Sequence, residues 1–242
     1  MRRTLYGLAI SPWTERARWA LDHHCAAYSY HEHVPMLGEV LLRRKAGTKK
    51  ASVPLLADGD DVVMGSLEIA KHAEKIGRGA SLFPRDRDSE IAHWATAAER
   101  MTRVGRASLF RKLMKSKAAQ AESLPSFVPG GLRGALAPSA GMALRFLAKK
   151  YEIPENVDAE VEHTLRPLLL ELRTAIGKGD YVLSGATFTF ADLAMASTMQ
   201  VVRPRAAAPF GPATREAWTN DAIAEEFGDL LEWRDAIYAK HR

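Results

Sequence analysis

Cysteine is nearly absent from this 242-residue chain: Cys25 stands alone. A single thiol excludes an internal disulfide framework and any Cys-x-x-Cys redox or zinc motif, and it fits a reducing cytosol. Long apolar runs are missing too. The softest stretch, Gly134 to Ala148, is interrupted by Pro138 and Arg145, so no segment of the sequence has the length and apolarity of a membrane-spanning helix. The opening run from Thr4 to Ile10 is short and is broken by Ser11-Pro12. It does not read as the apolar region of a secretory signal, and a cytoplasmic protein is expected. There is no internal repeat and no low-complexity tract. What is present is ample core material: 47% of the residues are hydrophobic, enough for one large or two modest domains and too much for global disorder.

Charge is unevenly spread. The formal net charge is +5, yet eleven Lys and Arg against the single acid Glu122 fall between Arg100 and Lys150. A local surplus of this kind permits an anionic partner, nucleic acid or a lipid surface, although a solvated helical face is the simpler reading. Within it, Arg111 to Lys117 has the pattern of a basic amphipathic helix.

The hydrophobic spacing divides the chain in two. Strand signals at 4–10 and 28–34, helical spacing after Ser11-Pro12 and over Leu37 to Lys45, and the β-prone runs 53–57 and 62–64 around Asp58-Gly59 predict the order strand, helix, strand, helix, hairpin, with a helix from Ser66 to Ile76 closing the unit. Gly77-Arg78-Gly79 and Phe83-Pro84 form a linker. Beyond it the spacing is helical throughout, as at Ile91, Trp94, Ala98 and Met101 and at Val161, Leu165, Leu168, Leu172 and Ile176. The segment Leu124 to Pro138, with three prolines and three glycines, is expected to be a loop. The expected domains are 1–78, a small α/β unit with one mixed sheet, and 88–242, all helix.

Three junctions carry candidate chemistry. Ser11-Pro12 stands where a strand hands over to a helix. A serine there caps the first amides, and its hydroxyl also stands at the positive end of a helix, where a thiolate would be stabilised. Val53-Pro54 opens the hairpin, so proline marks an edge, a strand start or a cis bond. Gly65-Ser66 is a second strand-to-helix junction with a small residue at the cap. All three fall at one end of the predicted sheet, the end at which open α/β sheets bind ligands. His23, His24, His31 and His33 are crowded enough for a metal site to be conceived, but no acid or cysteine completes a set, so no metal is assigned. Cys25 is expected to be a small, buried or half-buried residue.

Taken in order, Leu5-Tyr6-Gly7, Ser11-Pro12-Trp13-Thr14-Glu15-Arg16, Ser52-Val53-Pro54-Leu55, Gly65-Ser66-Leu67-Glu68 and Tyr181 to Leu193 with its Thr189-Phe190-Ala191-Asp192 box resemble cytosolic glutathione transferases of the serine type, bacterial-like, over nearly the whole chain. The resemblance implies a thioredoxin-like N-terminal domain joined to an all-helical C-terminal domain, a homodimer, and glutathione as co-substrate for an apolar electrophile. It implies that Ser11 is catalytic, hydrogen-bonding the glutathione sulfur. It further implies that Val53 and Pro54 clamp the cysteinyl backbone, that Ser66 anchors the γ-glutamyl group and that Lys50 holds the glycyl carboxylate. Pro12 and Trp13 would line the second-substrate site. Gly65 departs from the family, which commonly has an acid or glutamine there, and so removes a local partner for the γ-glutamyl ammonium. The Thr189 to Asp192 box is assigned to folding, as a capping box. The alternative to an enzyme is a non-catalytic binding or assembly module of the same fold, meeting its partner through residues 100–150.

Overall fold

The computed structural model describes residues 3–124, 128–154, 156–177, 179–185 and 187–242. The first 76 residues hold a four-stranded sheet of β1 (Thr4–Gly7), β2 (Ser29–Glu32), β3 (Leu55–Asp58) and β4 (Asp61–Met64), with helices α1 (Pro12–His23), α2 (Glu39–Ala46) and α3 (Ser66–Ile76). The strand order is β2-β1-β3-β4. β1 runs parallel to β2 and antiparallel to β3, and β3 and β4 form the hairpin, turning through Gly59-Asp60.

The alternation of β1 and β3 explains why helices cover both faces. Leu5 and Leu56 point into the large core under α1 and α3, while Tyr6 and Leu55 point into a smaller core with Leu42 of α2 and Ala51. This is the thioredoxin-like arrangement that the sequence implies.

β1 is shorter than the apolar run predicts. A Cβ on Gly7 would meet the Thr14 side chain at 2.4 Å, so helix α1 comes this close only because the residue is glycine. Beyond Gly7 the amides turn to side chains: Leu8 N–H donates to Thr14 Oγ1 at 3.1 Å and Ala9 N–H to the Glu32 carboxylate at 3.1 Å. Residues 8–10 therefore leave the ladder and form a loop.

After the linker the described residues are helical: α4 (Asp88–Lys115), α5 (Lys117–Glu122), α6 (Gly130–Lys150), α7 (Val157–Glu160), α8 (Arg166–Ile176), α9 (Phe190–Thr198), α10 (Pro212–Trp218), α11 (Asp221–Glu226) and α12 (Gly228–His241). A wide helical turn at Val161–Leu165 joins α7 to α8, next to Pro167, which has no N–H for a regular turn. The α9 helix is buried along its full length. Its Asp192 carboxylate accepts from Thr189 N–H at 2.8 Å and Val182 N–H at 2.7 Å, so the capping box serves the core.

Two expectations change in the helical region. The predicted loop Leu124 to Pro138 is helix from Gly130 onward, with Pro138 inside α6; residues 125–127 lie outside the described residues. The buried face Ala137, Ala140, Gly141, Leu144 and Leu147 outweighs the local breakers, because packing of an apolar face supplies more than propensity removes. The basic helix expected over Arg111 to Lys117 is two helices, divided at Ser116, whose hydroxyl accepts from Ala119 N–H.

Cys25 is exposed. It takes φ +51° just past the end of α1, with Cys25 N–H bonded to Asp22 O and Ala26 N–H to Leu21 O. This is a Schellman helix end in which cysteine occupies the position usually held by glycine, and it points the side chain outward.

Candidate functional site

The three junctions meet at one cavity. It has a volume of about 1800 Å³ and lies between residues 8–13, 52–54 and 65–68 on the sheet side and helices α4 and α6 on the other. Ser11, Pro12, Trp13, Val53, Pro54, Gly65 and Ser66 all line it.

Ser11 is at the N-cap of α1 with extended backbone (φ −91°, ψ 126°), but its hydroxyl makes no capping hydrogen bond. The expected cap is therefore a position without the bond. The residue is held by its backbone and its neighbours: Ser11 N–H donates to Leu8 O at 2.9 Å, and the carbonyl of Ile10 accepts from Gln200 Nε2 at 2.7 Å. Ser11, whose hydroxyl makes no hydrogen bond among the described residues, thus lines the cavity at the amino end of a twelve-residue helix.

The Val53-Pro54 bond is cis, which decides among the three readings of that proline. Strand β3 starts one residue later. Pro54 O accepts from Gly65 N–H at 3.0 Å, so the second and third junctions are tied together. Val53 N–H and C=O make no hydrogen bond among the described residues. Gly65 has φ +94° and ψ 142°, with open space where a Cβ would stand. Backbone conformation, and not crowding, calls for glycine here. Ser66 follows as the first residue of α3 and is buried. Lys50 is not brought to the site: it is exposed and does not line the cavity.

Trp13 donates its indole N–H to the Glu99 carboxylate of α4. Arg16 is buried against the helical region, with hydrogen bonds to Thr102 Oγ1, Thr198 Oγ1 at 2.8 Å, Ala98 O at 3.2 Å and Ser197 Oγ at 3.3 Å. Burial lowers its pKa to about 10, an effect that the negative charge of Glu99 partly offsets. Its nearest acid is Glu99, at 3.9 Å; hydroxyls and a carbonyl supply its hydrogen bonds.

Several groups of the cavity were not picked out from the sequence. Glu99, Arg103 and Arg106 share one face of α4 at i, i+4 and i+7, a spacing that marks a common face, though not what it faces. Arg103 Nε donates to Glu99 at 2.9 Å. The Arg106 guanidinium lies 4.9 Å from the Trp13 ring centroid and 4.1 Å from that of Tyr151. Glu68, in the first turn of α3, also lines the cavity.

The four clustered histidines divide: His23 and His24 are in edge-to-face contact with centroids 4.9 Å apart, and His31 stands against Tyr6. His24 and His33 are buried beside Glu74 and Glu39, and His23 meets Ala80 O. Among the described residues no group of three or more His, Cys, Asp and Glu has the arrangement of a metal site. Part of the basic segment is engaged in internal contacts. Arg111 pairs with Asp158 at 2.6 Å, Lys150 with Glu39 at 2.9 Å, and Lys112 donates to Thr219 O. No helix among the described residues is long and apolar enough to cross a membrane.

Residues 5–80 match the family described as glutathione S-transferase, N-terminal domain. Among curated proteins, none matches this sequence. Solved structures of similar fold include a glutathione S-transferase from Methylobacterium radiotolerans in complex with glutathione sulfonate, 15% identical, covering 99% of this chain and 91% of that one with a TM-score of 0.62. The beta-etherase LigF from Sphingobium sp. strain SYK-6 is 17% identical, with coverage of 99% and 96% and a TM-score of 0.59. A glutathione S-transferase from Methylobacillus flagellatus with glutathione bound is 14% identical, with coverage of 97% and 94% and a TM-score of 0.56.

Proposed function

We propose that this chain, whose residues 5–80 are a glutathione S-transferase N-terminal domain and whose full length has the glutathione transferase fold, is a glutathione transferase that activates the glutathione thiol with Ser11. The observation that carries the reading is the Ser11 hydroxyl, uncommitted at the amino end of α1 and lining the cavity that cis Pro54 and Ser66 also line.

The energetics support it. Lowering a thiol pKa by about two units from about 8.5 requires roughly 2.7 kcal/mol of preference for the thiolate. A hydrogen bond to a charged acceptor contributes about 1.5–3 kcal/mol, and the helix amino end adds about 0.3–1 kcal/mol. Ser11 would donate its proton's hydrogen bond to the sulfur without giving the proton up. The released proton leaves to solvent, and the thiolate attacks an electrophile held against α4 and α6, forming a carbon–sulfur bond as the leaving group, chloride for an aryl chloride, departs with its electron pair. Proximity and thiolate stabilisation supply the rate.

The remaining glutathione contacts follow the resemblance. Val53 N–H and C=O are free to pair with the cysteinyl backbone, and Ser66 and the amides of the first turn of α3 would receive the γ-glutamyl carboxylate. Gly65 supplies no acid for the ammonium; Glu68, three residues on and lining the same cavity, is a carboxylate that could replace it by exchanging its exposed pair with Lys71. Lys50 lies away from the cavity, so its role as a glycyl partner rests on the resemblance alone. A homodimer and residence in the cytoplasm are likewise proposed from the resemblance.

The test is calorimetric titration of glutathione, followed by conjugation of 1-chloro-2,4-dinitrobenzene, in the wild type and Ser11→Ala. Retained glutathione binding with a rate lowered about tenfold or more at neutral pH supports the reading. Absence of glutathione binding at millimolar concentration overturns it and leaves the non-catalytic module.

A further inference from the structure

Arg106 is the one cavity-lining cation on the α4 face whose guanidinium lies over aromatic rings and yet has no acid. It makes no ion pair within 4.0 Å and no hydrogen bond among the described residues. Its Nε is fully buried without a partner, and its Cζ lies over the rings of Trp13 and Tyr151. The nearby carboxylate, Glu99, is already occupied by the Trp13 indole, Arg103 Nε and the more distant Arg16. Of the other carboxylates in the cavity, Glu122 receives Ala213 and Thr214 N–H, Glu32 receives Ala9 N–H and the Tyr30 hydroxyl, Glu68 receives Lys71 and Glu160 receives the Thr164 hydroxyl. Glu152 also lines the cavity and makes no ion pair with Arg106 among the described residues.

A half-buried cation without a counter-charge is an unfavourable element of a folded chain unless something completes it. The cation–π contacts with the two rings contribute only part of the missing hydration. The terminal nitrogens of the guanidinium fork match a carboxylate with two parallel bonds. Trp13 follows Ser11 by two residues, so an anion on Arg106 would set the rest of a substrate beside the junction that carries the hydroxyl. Arg100, exposed and lining the same cavity, adds positive potential at the mouth.

We infer that the second-substrate side of this cavity takes an aromatic or apolar molecule bearing a carboxylate, and that Arg106 is the residue that selects it. This inference rests on the proposed transferase reading for the reaction, but the binding it describes does not require glutathione. The test is a matched pair, 4-chloro-3-nitrobenzoate and its methyl ester, titrated by quenching of tryptophan fluorescence without glutathione and then assayed with it. Arg106→Met and Arg106→Lys are compared with the wild type, with thermal melting as a check on folding. The acid is expected to bind about tenfold or more tightly than the ester. Arg106→Met should erase that preference and leave the ester unchanged, and Arg106→Lys should restore part of it. Equal binding of acid and ester by the wild type, no binding of the acid, or a preference that survives in folded Arg106→Met overturns the inference. Acid binding without glutathione turnover would instead sink the transferase reading and leave this one standing.

Discussion

The two halves of the molecule treat the starts of their helices differently. In the helical half, side chains close five of the nine starts among the described residues. Ser116, Asn156 and Asn220 accept from the third amide of α5, α7 and α11, Asp192 completes the box at α9, and Glu122 takes two amides of α10; α4, α6, α8 and α12 have no side-chain cap. In the sheet half none of the three is closed: α2 follows Gly38, and α1 and α3 start at the junctions. Ser11 is a capping residue that does not cap, and Gly65 has no side chain with which to do so. The starts of α1 and α3 both lie at the cavity. Orphan amides and an idle hydroxyl lower stability where water is their only partner, so leaving them open at one shared cavity marks the place where a ligand completes the fold's hydrogen bonding.

The comparison can be broken at several points. The largest effect is expected at Arg16, which links the two halves. Arg16→Met removes the buried hydrogen bonds of the guanidinium to Thr102, Thr198, Ser197 and Ala98 O, although Thr102 and Thr198 keep their bonds to Ala98 O and Ala194 O, and should lower stability by about 3 kcal/mol, read by urea unfolding. Next comes Ser11→Ala. With no capping bond to lose, stability should change by less than about 0.5 kcal/mol, while conjugation at neutral pH falls about tenfold to a hundredfold. A stability loss equal to that of a true cap would place Ser11 with the closed starts.

Asn220→Ala supplies that reference and should cost about 1 kcal/mol with unchanged catalysis, checked by melting and turnover together. The smallest effect is at Cys25. Cys25→Gly relieves the left-handed backbone at the end of α1, set against the greater freedom of glycine in the unfolded chain, for a gain of about 0.5 kcal/mol.

Much of the sheet half was legible because its punctuation is local. Ser11-Pro12, Pro54, Asp58-Gly59 and Gly65-Ser66 each restrict the backbone within a few residues, and they delimit elements that the structure contains. Site positions at those junctions could be named for the same reason. What was not legible depends on distant partners. Gly130 to Pro138 reads as a breaker-rich loop until the buried face of α6 is known. The end of β1 at Gly7 depends on Thr14 and Glu32, and the exposure of Cys25 on a helix-end geometry that favours glycine. Arg16 and Arg106 are alike in sequence, two arginines at helical positions. Only the packing distinguishes one enclosed by hydroxyls from one laid over Trp13 and Tyr151 with its Nε unpaired.

The central claim is that the uncapped Ser11 hydroxyl holds a thiolate. Its most direct test is a pH titration of the ultraviolet thiolate band of reduced glutathione in the presence of the protein. The account predicts a bound thiolate appearing near or below neutrality and absent in Ser11→Ala, with both proteins equally folded. A bound glutathione whose thiol titrates as it does free in water, or identically in wild type and Ser11→Ala, would contradict it.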